Sequence, residues 1–511
     1  MSARRRYQWA AVAGMLAALV SLAVAEVLAV VVGAGSSPMF AVGSLAIDLA
    51  PPWVKDFVIA LFGTGDKIAL LVVLGIVVVL LALAVGVLQW RRPPLGNVLL
   101  VLVGVVASVA AATRAGATPW WIVPSVIGVI VGTVVLRIGL DRLADWADSD
   151  PIHVAIDRRR FLTMLGMTAA GALVVGVAAR AYNSANAAIA TLRDSVKLPK
   201  PATPAPQISA GAELDIPGIT PLISSNESFY RIDTALQVPV VDVSTWKLRI
   251  IGLVEREVEI TFDELLTLPL TERAVTLACV SNEVGGNLIG NAIWLGYPLH
   301  KLLERARPLP RADMVLSRSI DGFTASTPLE VLQDPRRDSL LAVGMNGEPL
   351  PLEHGFPARL VVPGLYGYVS ATKWVTELKV TTFAEDIAYW SYRGWSDHGP
   401  IKTESRIDVP ASGARVRAGR VAVAGMAWSQ HTGISAVEVR IDRGVWQPAR
   451  LADPISADTW RQWVYEWDAP RGSHLLEVRA TDSLGQTQSA TQVPPAPNGA
   501  EGWHAVTVAV E

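Results

Sequence analysis

Cys279 is the only cysteine in a chain of 511 residues and the side chain with the clearest chemical potential. The run that ends at it, Arg-Ala-Val-Thr-Leu-Ala-Cys, is apolar and β-branched and predicts a buried strand, whereas the Ser, Asn and Gly that follow cannot continue one. The thiol is therefore expected where a rigid strand meets a glycine-rich loop, a position from which a thiolate can bind a soft metal ion. Two other interpretations stay open: a small buried apolar residue, or a nucleophile, although no His follows at a spacing typical of Cys–His enzymes.

Three segments of the sequence carry a resemblance to a known family. Residues 276–282 read Thr-Leu-Ala-Cys-Val-Ser-Asn, and residues 292–299 read Ala-Ile-Trp-Leu-Gly-Tyr-Pro-Leu. Residues 346–364 contain His-Gly-Phe-Pro-Ala-Arg and are followed by Lys-Trp-Val at 373–375, while residues 226–231 read Asn-Glu-Ser-Phe-Tyr-Arg. In this order and spacing the segments resemble the molybdenum-binding and pterin-binding stretches of the sulfite oxidase family of molybdopterin-dependent oxidoreductases, of the membrane-anchored bacterial type with a C-terminal Ig-like dimerisation domain.

The resemblance implies the cofactor and the residues that hold it. The cofactor is molybdenum–molybdopterin, with Cys279 as the protein ligand of the metal, and the reaction is oxygen-atom and electron transfer with a small-molecule substrate. Arg231 is implied as a catalytic residue in addition to Cys279, and His354 as a donor of a hydrogen bond to the pterin. Arg and Lys side chains suit its anionic phosphate. The full implied cofactor-binding set is Asn226, Tyr230, Arg231, Cys279, Asn282, His354, Arg359 and Lys373.

Two departures from the family pattern bear on the substrate. Sulfite-oxidising members carry arginines just after the Asn of the cysteine loop, whereas this chain continues Asn-Glu-Val-Gly at 282–285, so sulfite would meet a carboxylate instead of cations. Residues 366–372, Tyr-Gly-Tyr-Val-Ser-Ala-Thr, stand where the family often has Gly-Ala-Arg. Tyr366 and Tyr368 are expected to line the substrate pocket or to pack on the pterin, and Tyr368 is the third candidate catalytic residue.

The chemistry leaves alternatives open. Arg393, His398, Lys402 and Arg406 could restore positive charge at the mouth of the pocket. The loss of the anion-binding arginines favours a reductase of sulfoxides or other small molecules over sulfite oxidation. A non-catalytic, membrane-tethered binding module is the alternative from a different class, and Cys279 argues against it because a binding module needs no thiolate.

Long apolar runs dominate the first third of the chain. Over all 511 residues, 51% are hydrophobic and the mean hydropathy is +0.37. Five runs approach the roughly 20 residues that cross a bilayer, namely residues 10–33, 68–88, 96–113, 119–139 and 161–179. Arginines before the first run, between the second and third, and between the fourth and fifth predict cytoplasmic segments, which places everything after residue 180 outside. The predicted location is the bacterial plasma membrane, with a multi-pass anchor in the lipid bilayer and an extracytoplasmic catalytic domain.

The fifth run carries a second pattern. Arg-Arg-Arg-Phe-Leu at 158–162, followed by Gly- and Ala-rich residues, resembles a twin-arginine export signal, which would suit a domain that receives its cofactor in the cytoplasm and crosses the membrane folded. An ordinary positive-inside anchor is the alternative. The first His of the chain is His153, so the first four runs offer no His or Cys ligand for haem or an iron–sulfur cluster, and electrons are expected to pass to a separate electron-transfer protein or the quinone pool. Glu26, inside the first run, fits a proton or quinone site or a helix-packing position.

The predicted architecture is multi-domain. A transmembrane domain of five α-helices covers residues 1–180, and a Pro-rich, extended linker covers 181–218. Residues 219–404 mix strand and helix signals and predict an α+β sulfite-oxidase-type molybdopterin domain. Residues 405–511 alternate short apolar strands with polar turns and predict an all-β Ig-like sandwich, through which a homodimer is expected. With 44 Lys and Arg against 46 Asp and Glu, and no basic aromatic patch, nucleic acid is not an expected partner.

Local signals place several elements of the second half. Thr261 and Glu264 form a capping box that predicts a helix start. Pro298 and Pro328 stand where the first residue of a helix is expected. The pair Asn-Gly at 346–347 predicts a tight hairpin turn.

Overall fold

The computed structural model describes residues 1–51, 66–114, 117–149, 154–183, 195–239 and 241–511, with residues 54, 57, 58, 61 and 193 in addition. By its internal contacts the chain forms two compact units, Met1–Ala188 with Thr234–Val238, and Ile189–Asp233 with Pro239–Glu511. In the described residues the first unit is helical and the second is built mainly of β-strands.

Apolar helices make up the first unit. They are α1 (Ala3–Val32), α2 (Pro38–Leu49), α3 (Asp66–Arg91), α4 (Leu95–Ala112), α5 (Val123–Asp148) and α6 (Val154–Asn183), with 3-10 turns at Ala34–Ser36 and Pro119–Ile122. Among the described residues, four stretches are long and apolar enough to cross a membrane: Ala3–Val32, Ala69–Arg91, Leu95–Ala112 and Pro119–Asp148. They coincide with the first four predicted spans and are compatible with membrane anchoring.

The fifth predicted span, 161–179, lies on α6. Several side chains towards the end of that helix, at 175–176 and 178–183, lie outside the described residues. The fifth span therefore stays a prediction, as do the export signal and the orientation of the chain in a membrane.

Small residues let the helices of this bundle approach closely. A Cβ atom built on Gly86 of α3 would collide with the carbonyl group of Ala10 of α1, so only glycine fits at that crossing. Glu26 of α1 accepts a hydrogen bond of 2.6 Å from the hydroxyl of Ser37, the residue that precedes α2. The Glu26 carboxylate thus takes part in helix packing, one of the two roles that its position in the sequence allows.

The first part of the second unit contains two sheets joined by short helices. The strands are β1 (Lys247–Gly252), β2 (Val258–Thr261), β3 (Thr271–Ala278), β4 (Ile289–Pro298), β5 (Met314–Ser319), β6 (Thr324–Pro328), β7 (Leu340–Met345), β8 (Glu348–Pro349), β9 (Arg359–Val361) and β10 (Val375–Thr381). The helices are α7 (Phe262–Thr267), α8 (Leu299–Ala306), α9 (Leu329–Gln333) and α10 (Gly367–Ser370), with 3-10 turns at Pro335–Arg337, Leu352–His354 and Ser391–Arg393. This mixture agrees with the predicted α+β region.

The two sheets differ in direction. One has the order β2-β1-β10-β5-β6, with β1 parallel to β10 and the other neighbours antiparallel. The second is antiparallel, in the order β3-β4-β7-β8 with β9 against β7. β4 is buried along almost its whole length. Its residues Trp294 and Ala292 pack with Phe229 and Phe356 in one core, which also includes Leu277 of β3.

The end of the chain forms two further sheets. Their strands are β11 (Glu404–Val409), β12 (Arg415–Val416), β13 (Gly419–Trp428), β14 (Ile434–Ile441), β15 (Gln447–Pro448), β16 (Arg450–Leu451), β17 (Arg461–Ala469), β18 (Gly472–Asp482) and β19 (His504–Val510). The orders are β11-β13-β17-β16 and β12-β19-β18-β14-β15. Side chains from both sheets, including Trp463, Val439 and Val508, share one core, so the two sheets pack as a sandwich. The Ig-like assignment and the homodimer stay predictions.

Two local signals are confirmed. The Thr261 hydroxyl accepts a hydrogen bond of 3.3 Å from the Glu264 N–H, and the Glu264 carboxylate accepts one of 2.8 Å from the Thr261 N–H, which is the predicted capping box at the start of α7. Asn346 and Gly347 have φ angles of 52° and 82° and turn β7 into β8. Two successive positive φ angles are what a tight hairpin requires.

Two predicted helix starts shift by one residue. Pro298 and Pro328 have ψ angles of 125° and 130°, so each is the extended residue before α8 and α9 rather than the first helical one. Both prolines also end the preceding strand, β4 or β6. Strand pairing therefore extends the chain one residue further than the helix signal alone indicates.

Residues 195–218 of the Pro-rich segment belong to the second unit and pack within it. Thr203 forms a parallel bridge to Thr271 at the start of β3, and Leu214 is buried against the sandwich. The predicted linker over 181–218 stays a prediction in its bounds. Most residues between 184 and 194 lie outside the described part of the chain.

Trp460 joins the sandwich to the α+β region of the second unit. Its side chain is 1% exposed, and its indole N–H donates a 2.7 Å hydrogen bond to the carbonyl of Leu222. We expect Trp460→Ala to destabilise the second unit by about 3–5 kcal/mol, because a large buried side chain and a buried hydrogen bond are lost together. Thermal unfolding of the purified protein would show a lower midpoint, whereas Tyr392→Ala, at a position 76% exposed, should leave it nearly unchanged. Equal midpoints for both variants would contradict this role.

Candidate active site

Cys279 follows β3 directly and is nearly enclosed. Its backbone N–H donates to the carbonyl of Leu288 at 2.9 Å, which closes the loop between β3 and β4. The side chain is 9% exposed, and burial raises the pKa of the thiol, although hydrogen bonds involving Ser281 oppose the rise. Because a thiol with a raised pKa is a poor nucleophile at neutral pH, a bound cation is needed to make it a thiolate. The environment of Cys279 thus suits a metal ligand better than a nucleophile.

Residues 279–288, which we call the cysteine loop, are shaped by Asn282. The Asn282 side-chain oxygen accepts a 2.8 Å hydrogen bond from the Leu288 N–H, and a Cβ atom on Gly286 would lie only 2.6 Å from that oxygen. Asn282 is therefore occupied with loop geometry, while its predicted contact with the cofactor stays a prediction. Glu283 is exposed, so its carboxylate points to solvent at the edge of the site.

Two tyrosines interact electrostatically with the Cys279 thiol. Burial and the Cys279 side chain raise the pKa of Tyr230 above its ordinary value. A Cβ atom on Gly367 would lie 3.9 Å from the Tyr230 hydroxyl and 3.7 Å from the carbonyl oxygen of Ala278, the residue before Cys279. Burial, Glu404 and Cys279 likewise raise the pKa of Tyr366. Both hydroxyls thus stay protonated, and that of Tyr366 accepts a 3.3 Å hydrogen bond from the Lys402 N–H.

Tyr368 contacts Ser396 and Trp395. Its hydroxyl donates a 2.5 Å hydrogen bond to the carbonyl of Ser396, and its ring lies 5.9 Å from that of Trp395. Tyr366, which the sequence offered only as a pocket-lining alternative, is the tyrosine of this pair that interacts electrostatically with Cys279. The signal for it was the Tyr-Gly-Tyr departure from the family pattern, which does not say which of the two rings faces the thiol.

Arg359 is a buried cation whose bonds go to uncharged groups. It is 5% exposed, and its guanidinium donates to the carbonyls of His354 at 3.0 Å and Ala371 at 3.4 Å. The guanidinium carbon lies 4.9 Å from the centre of the Trp294 ring. Burial lowers its pKa to about 10, so it remains charged at neutral pH. No ion pair involves Arg359 among the described residues, and an anionic group such as a phosphate would complete its surroundings.

Lys373 and Arg231 form a second cationic group around one carboxylate. Lys373 donates to Asp233 at 2.7 Å and to the carbonyl of Glu353 at 3.0 Å, and burial lowers its pKa to about 8. Arg231 binds the same Asp233 oxygen at 3.0 Å, with a side chain 39% exposed. The contacts of Arg231 thus place it with Lys373 on Asp233, while its expected catalytic and cofactor-binding roles stay predictions.

The His354 ring is neutral, with a proton on one nitrogen and a lone pair on the other. Its Nε2 lies 2.9 Å from the carbonyl oxygen of Asn226, which can only accept, so the ring proton is on Nε2. Burial and the nearby Arg359 lower the pKa of His354 to about 4. The remaining Nδ1 has only a lone pair to offer. The Nε2 proton is thus bound by the Asn226 carbonyl, and the expected contact of His354 with a pterin stays a prediction.

Asn226 links the segment 226–231 to the hairpin turn at Asn346 by a hydrogen bond. Its side-chain oxygen accepts a 2.9 Å hydrogen bond from the Asn346 amide, and its carbonyl receives the one from His354. Phe229 packs edge-on against the rings of both Trp294 and His354, at 5.6 and 5.5 Å. The predicted cofactor-binding residues Asn226, Tyr230, His354 and Arg359 are thus brought into one cluster by contacts between segments far apart in sequence.

The cations expected at the pocket mouth are all engaged with the chain itself. Arg406 binds Asp408 at 2.7 Å and is buried, Lys402 binds Glu501 at 3.2 Å, and His398 contacts the neighbouring Asp397 at 2.6 Å. Arg393 lies 3.6 Å from the centre of the Tyr389 ring. Compensation for the missing loop arginines is therefore not a role that the geometry gives to these side chains.

The neutral state of His354 predicts a pH dependence of stability. Its folded-state pKa of about 4 lies below the ordinary 6.5, so the unfolded chain binds the proton more tightly, and stability is lost as pH falls from about 6.5 to about 4. The shift corresponds to a loss on the order of 3 kcal/mol. His354→Gln should make the unfolding midpoint less pH-dependent over this range, whereas His398→Gln, at an exposed His, should not. An unchanged profile in His354→Gln would contradict the assignment.

Comparisons with known proteins identify the region that contains this site. Residues 235–390 match the family model of the oxidoreductase molybdopterin binding domain. Mitochondrial sulfite oxidase of Homo sapiens is 31% identical over 307 residues, which are 51% of this chain and 56% of that protein. NADH nitrate reductase 1 of Oryza sativa subsp. japonica is 34% identical over 182 residues, 30% of this chain and 20% of that protein. The chain spans about half the length of the sulfite oxidases it matches.

A solved structure gives the same assignment. The sulfane dehydrogenase SoxCD from Paracoccus pantotrophus superposes with a TM-score of 0.50 at 26% identity, covering 57% of this chain and 84% of that chain. The predicted molybdenum–molybdopterin cofactor and the predicted class of molybdenum-cofactor oxidoreductase are confirmed by these matches. Residues 235–390 therefore form an oxidoreductase molybdopterin binding domain, and over about half of its length the chain is similar to the sulfite oxidase family.

Proposed function

We propose that this protein is a membrane-anchored oxidoreductase in which Cys279 binds the molybdenum of the cofactor and an extracytoplasmic small molecule exchanges an oxygen atom and two electrons there. The observation that carries the proposal is the buried thiol at the end of β3, with which Tyr230 and Tyr366 interact electrostatically. When bound, the cofactor supplies the two-electron oxygen-transfer chemistry that no protein side chain provides.

The described residues fit the cofactor at both of its ends. Cys279 offers a sulfur ligand suited to a soft metal centre. Arg359 and Lys373 offer buried positive charge to the phosphate, and the carbonyl and ring partners of Arg359 leave that charge uncompensated. His354 offers the Nδ1 lone pair, so it accepts a hydrogen bond from an N–H or O–H of the pterin. These side chains bind and orient the group, while the aromatic cluster around them excludes water.

The substrate we propose is a sulfur compound with little negative charge. Residues 280–288, directly after the thiol, contain no Lys or Arg, and the polar groups that interact with the thiol are those of Ser281, Tyr230 and Tyr366. Such hydroxyls bind a neutral oxygen or sulfur group by hydrogen bonds but do not balance the charge of a dianion. The names of two relatives, sulfite oxidase and sulfane dehydrogenase, point to sulfur as the reacting atom. Oxidation takes the oxygen atom from water and releases two protons and two electrons.

The reverse direction is the second candidate. A sulfoxide or another small oxidised molecule would accept two electrons and two protons and release its oxygen as water. The same lack of cations after Cys279 favours it, because a sulfoxide is neutral. In either direction a separate electron-transfer protein or the quinone pool exchanges the electrons, and the four apolar helices support a location at a membrane. The family matches weigh against a non-catalytic binding module.

Cys279→Ser tests the metal ligand. In a host that makes the cofactor, the wild type should contain near-stoichiometric molybdenum and turn over sulfur substrates with artificial electron carriers. The variant should lose activity by more than the 10- to 100-fold typical of residues outside the ligand shell, and its molybdenum coordination should change. The exposed Ser412→Ala, in a turn away from the site, serves as a control with wild-type activity. Wild-type protein without molybdenum from such a host would overturn the proposal.

Arg359→Met tests the anion-binding end. The change keeps the length of the side chain and removes its charge, so we expect the purified variant to retain about a tenth or less of the wild-type pterin and molybdenum, as for the loss of a charge-assisted phosphate contact. Pterin fluorescence and elemental analysis measure both. Arg336→Met, at a side chain 86% exposed, is the matched control. Wild-type cofactor content in Arg359→Met would contradict the role.

A further inference from the structure

Two residues of the C-terminal sandwich contact the cysteine loop directly. Arg406, on β11, donates a 2.7 Å hydrogen bond to the carbonyl of Gly286. His504, the first residue of β19, lies so close to Gly285 that a Cβ atom on that glycine would collide with the imidazole ring. Gly285 has a φ of +79°, a conformation that suits glycine. The far side of the loop is therefore held by side chains outside the molybdopterin-type region.

Arg406 is itself fixed in direction. Its Nε donates to Asp408 at 2.7 Å and its second terminal nitrogen donates to the Thr220 hydroxyl at 3.0 Å. The side chains of Arg406 and Asp408 are 8% and 7% exposed. Asp408 also accepts a 3.0 Å hydrogen bond from the Thr220 N–H. A planar guanidinium with partners on three nitrogens has little freedom, so the position of the Gly286 carbonyl is set by the sandwich.

His504 is fixed in the same way. Its Nδ1 accepts a 3.0 Å hydrogen bond from the Ile407 N–H, so the ring proton is on Nε2. Burial and the neighbouring Arg406 lower the pKa of His504, which keeps the ring neutral near pH 7. Ile407 and Arg406 are adjacent on β11, so both loop contacts depend on one strand.

These contacts are separate from those that join the sandwich to β3. The Gln430 side-chain amide donates to the carbonyl of Thr276 at 2.9 Å, and the backbone N–H of Trp460 donates to the Thr276 hydroxyl at 2.8 Å. The interface is therefore held at Thr276 as well as at the loop. The loop contacts can be removed while the contact at Thr276 stays in place.

We propose that Arg406 and His504 are positioning residues for the metal ligand: they fix the cysteine loop at Gly285 and Gly286 and thereby hold the Cys279 sulfur in place. The proposal rests on the proposed function in that Cys279 serves as the ligand. Loss of either contact frees the loop between its two strand ends, and the thiol gains access to solvent and freedom of orientation.

The single cysteine provides a test that needs no cofactor. The full chain, purified from a host that does not make molybdopterin, is treated with a thiol reagent, and the rate at which Cys279 reacts is measured. We expect Arg406→Met, His504→Phe and Gly285→Ala each to react about tenfold faster or more, because local opening of the loop exposes the buried thiol. Gln430→Ala removes a sandwich contact away from the loop and should react at the wild-type rate. Arg406→Lys should lie between Arg406→Met and the wild type.

The loaded protein provides the second readout. The electron paramagnetic resonance signal of Mo(V) and the thiolate-to-molybdenum absorption should shift in the three loop-contact variants and stay unchanged in Gln430→Ala, with melting midpoints recorded for all. Wild-type labelling rates and spectra in folded Arg406→Met, His504→Phe and Gly285→Ala, or equal changes in Gln430→Ala, would overturn the positioning role. If the spectrum of Cys279→Ser equalled that of the wild type, the proposed function would be rejected instead. The labelling rates would then still show whether Arg406 and His504 hold the loop.

Discussion

The hydrogen bond from the Cys279 N–H to the Leu288 carbonyl is the constraint around which the second unit is arranged. It continues the β3–β4 pairing, in which Ala278 lies opposite Ile289, so the thiol leaves the sheet at a point fixed by backbone geometry. A cysteine side chain has one rotatable bond before its sulfur, and little adjustment is available beyond it. A ligand carried on a rigid strand end holds its metal more reproducibly than one on a free loop.

The site has two ends of different character. At one end, Arg359 and Lys373 are buried cations with carbonyl groups, rings and a single shared carboxylate as partners. Such cations destabilise the fold unless an anion joins them, so a bound phosphate should stabilise the protein as well as anchor the cofactor. At the other end, the thiol interacts electrostatically with Tyr230 and Tyr366, whose raised pKa keeps both hydroxyls protonated.

The site extends beyond the matched family domain in both directions. Asn226 and Tyr230 precede the matched residues 235–390, and Arg406 and His504 follow them. Both additions are held by long-range contacts: His354 to the Asn226 carbonyl, and Arg406 to the Gly286 carbonyl. The sandwich therefore belongs to the architecture of the site, because removing it would leave the cysteine loop without its outer contacts.

Much of this protein could be read from its sequence because the relevant signals are local. The strand ending at Cys279, the capping box at Thr261, the Asn346–Gly347 hairpin and four apolar spans each depend on neighbouring residues, and the family motifs name Cys279, His354, Arg359 and Lys373. The tertiary structure alone decided which tyrosine interacts electrostatically with the thiol, that Arg231 lies with Lys373 on Asp233, that the His354 Nε2 proton is bound by the Asn226 carbonyl, and that Arg406 is buried against the cysteine loop. These outcomes depend on partners more than a hundred residues away, or on which side of a short helix faces inward, and no pattern of adjacent residues encodes them.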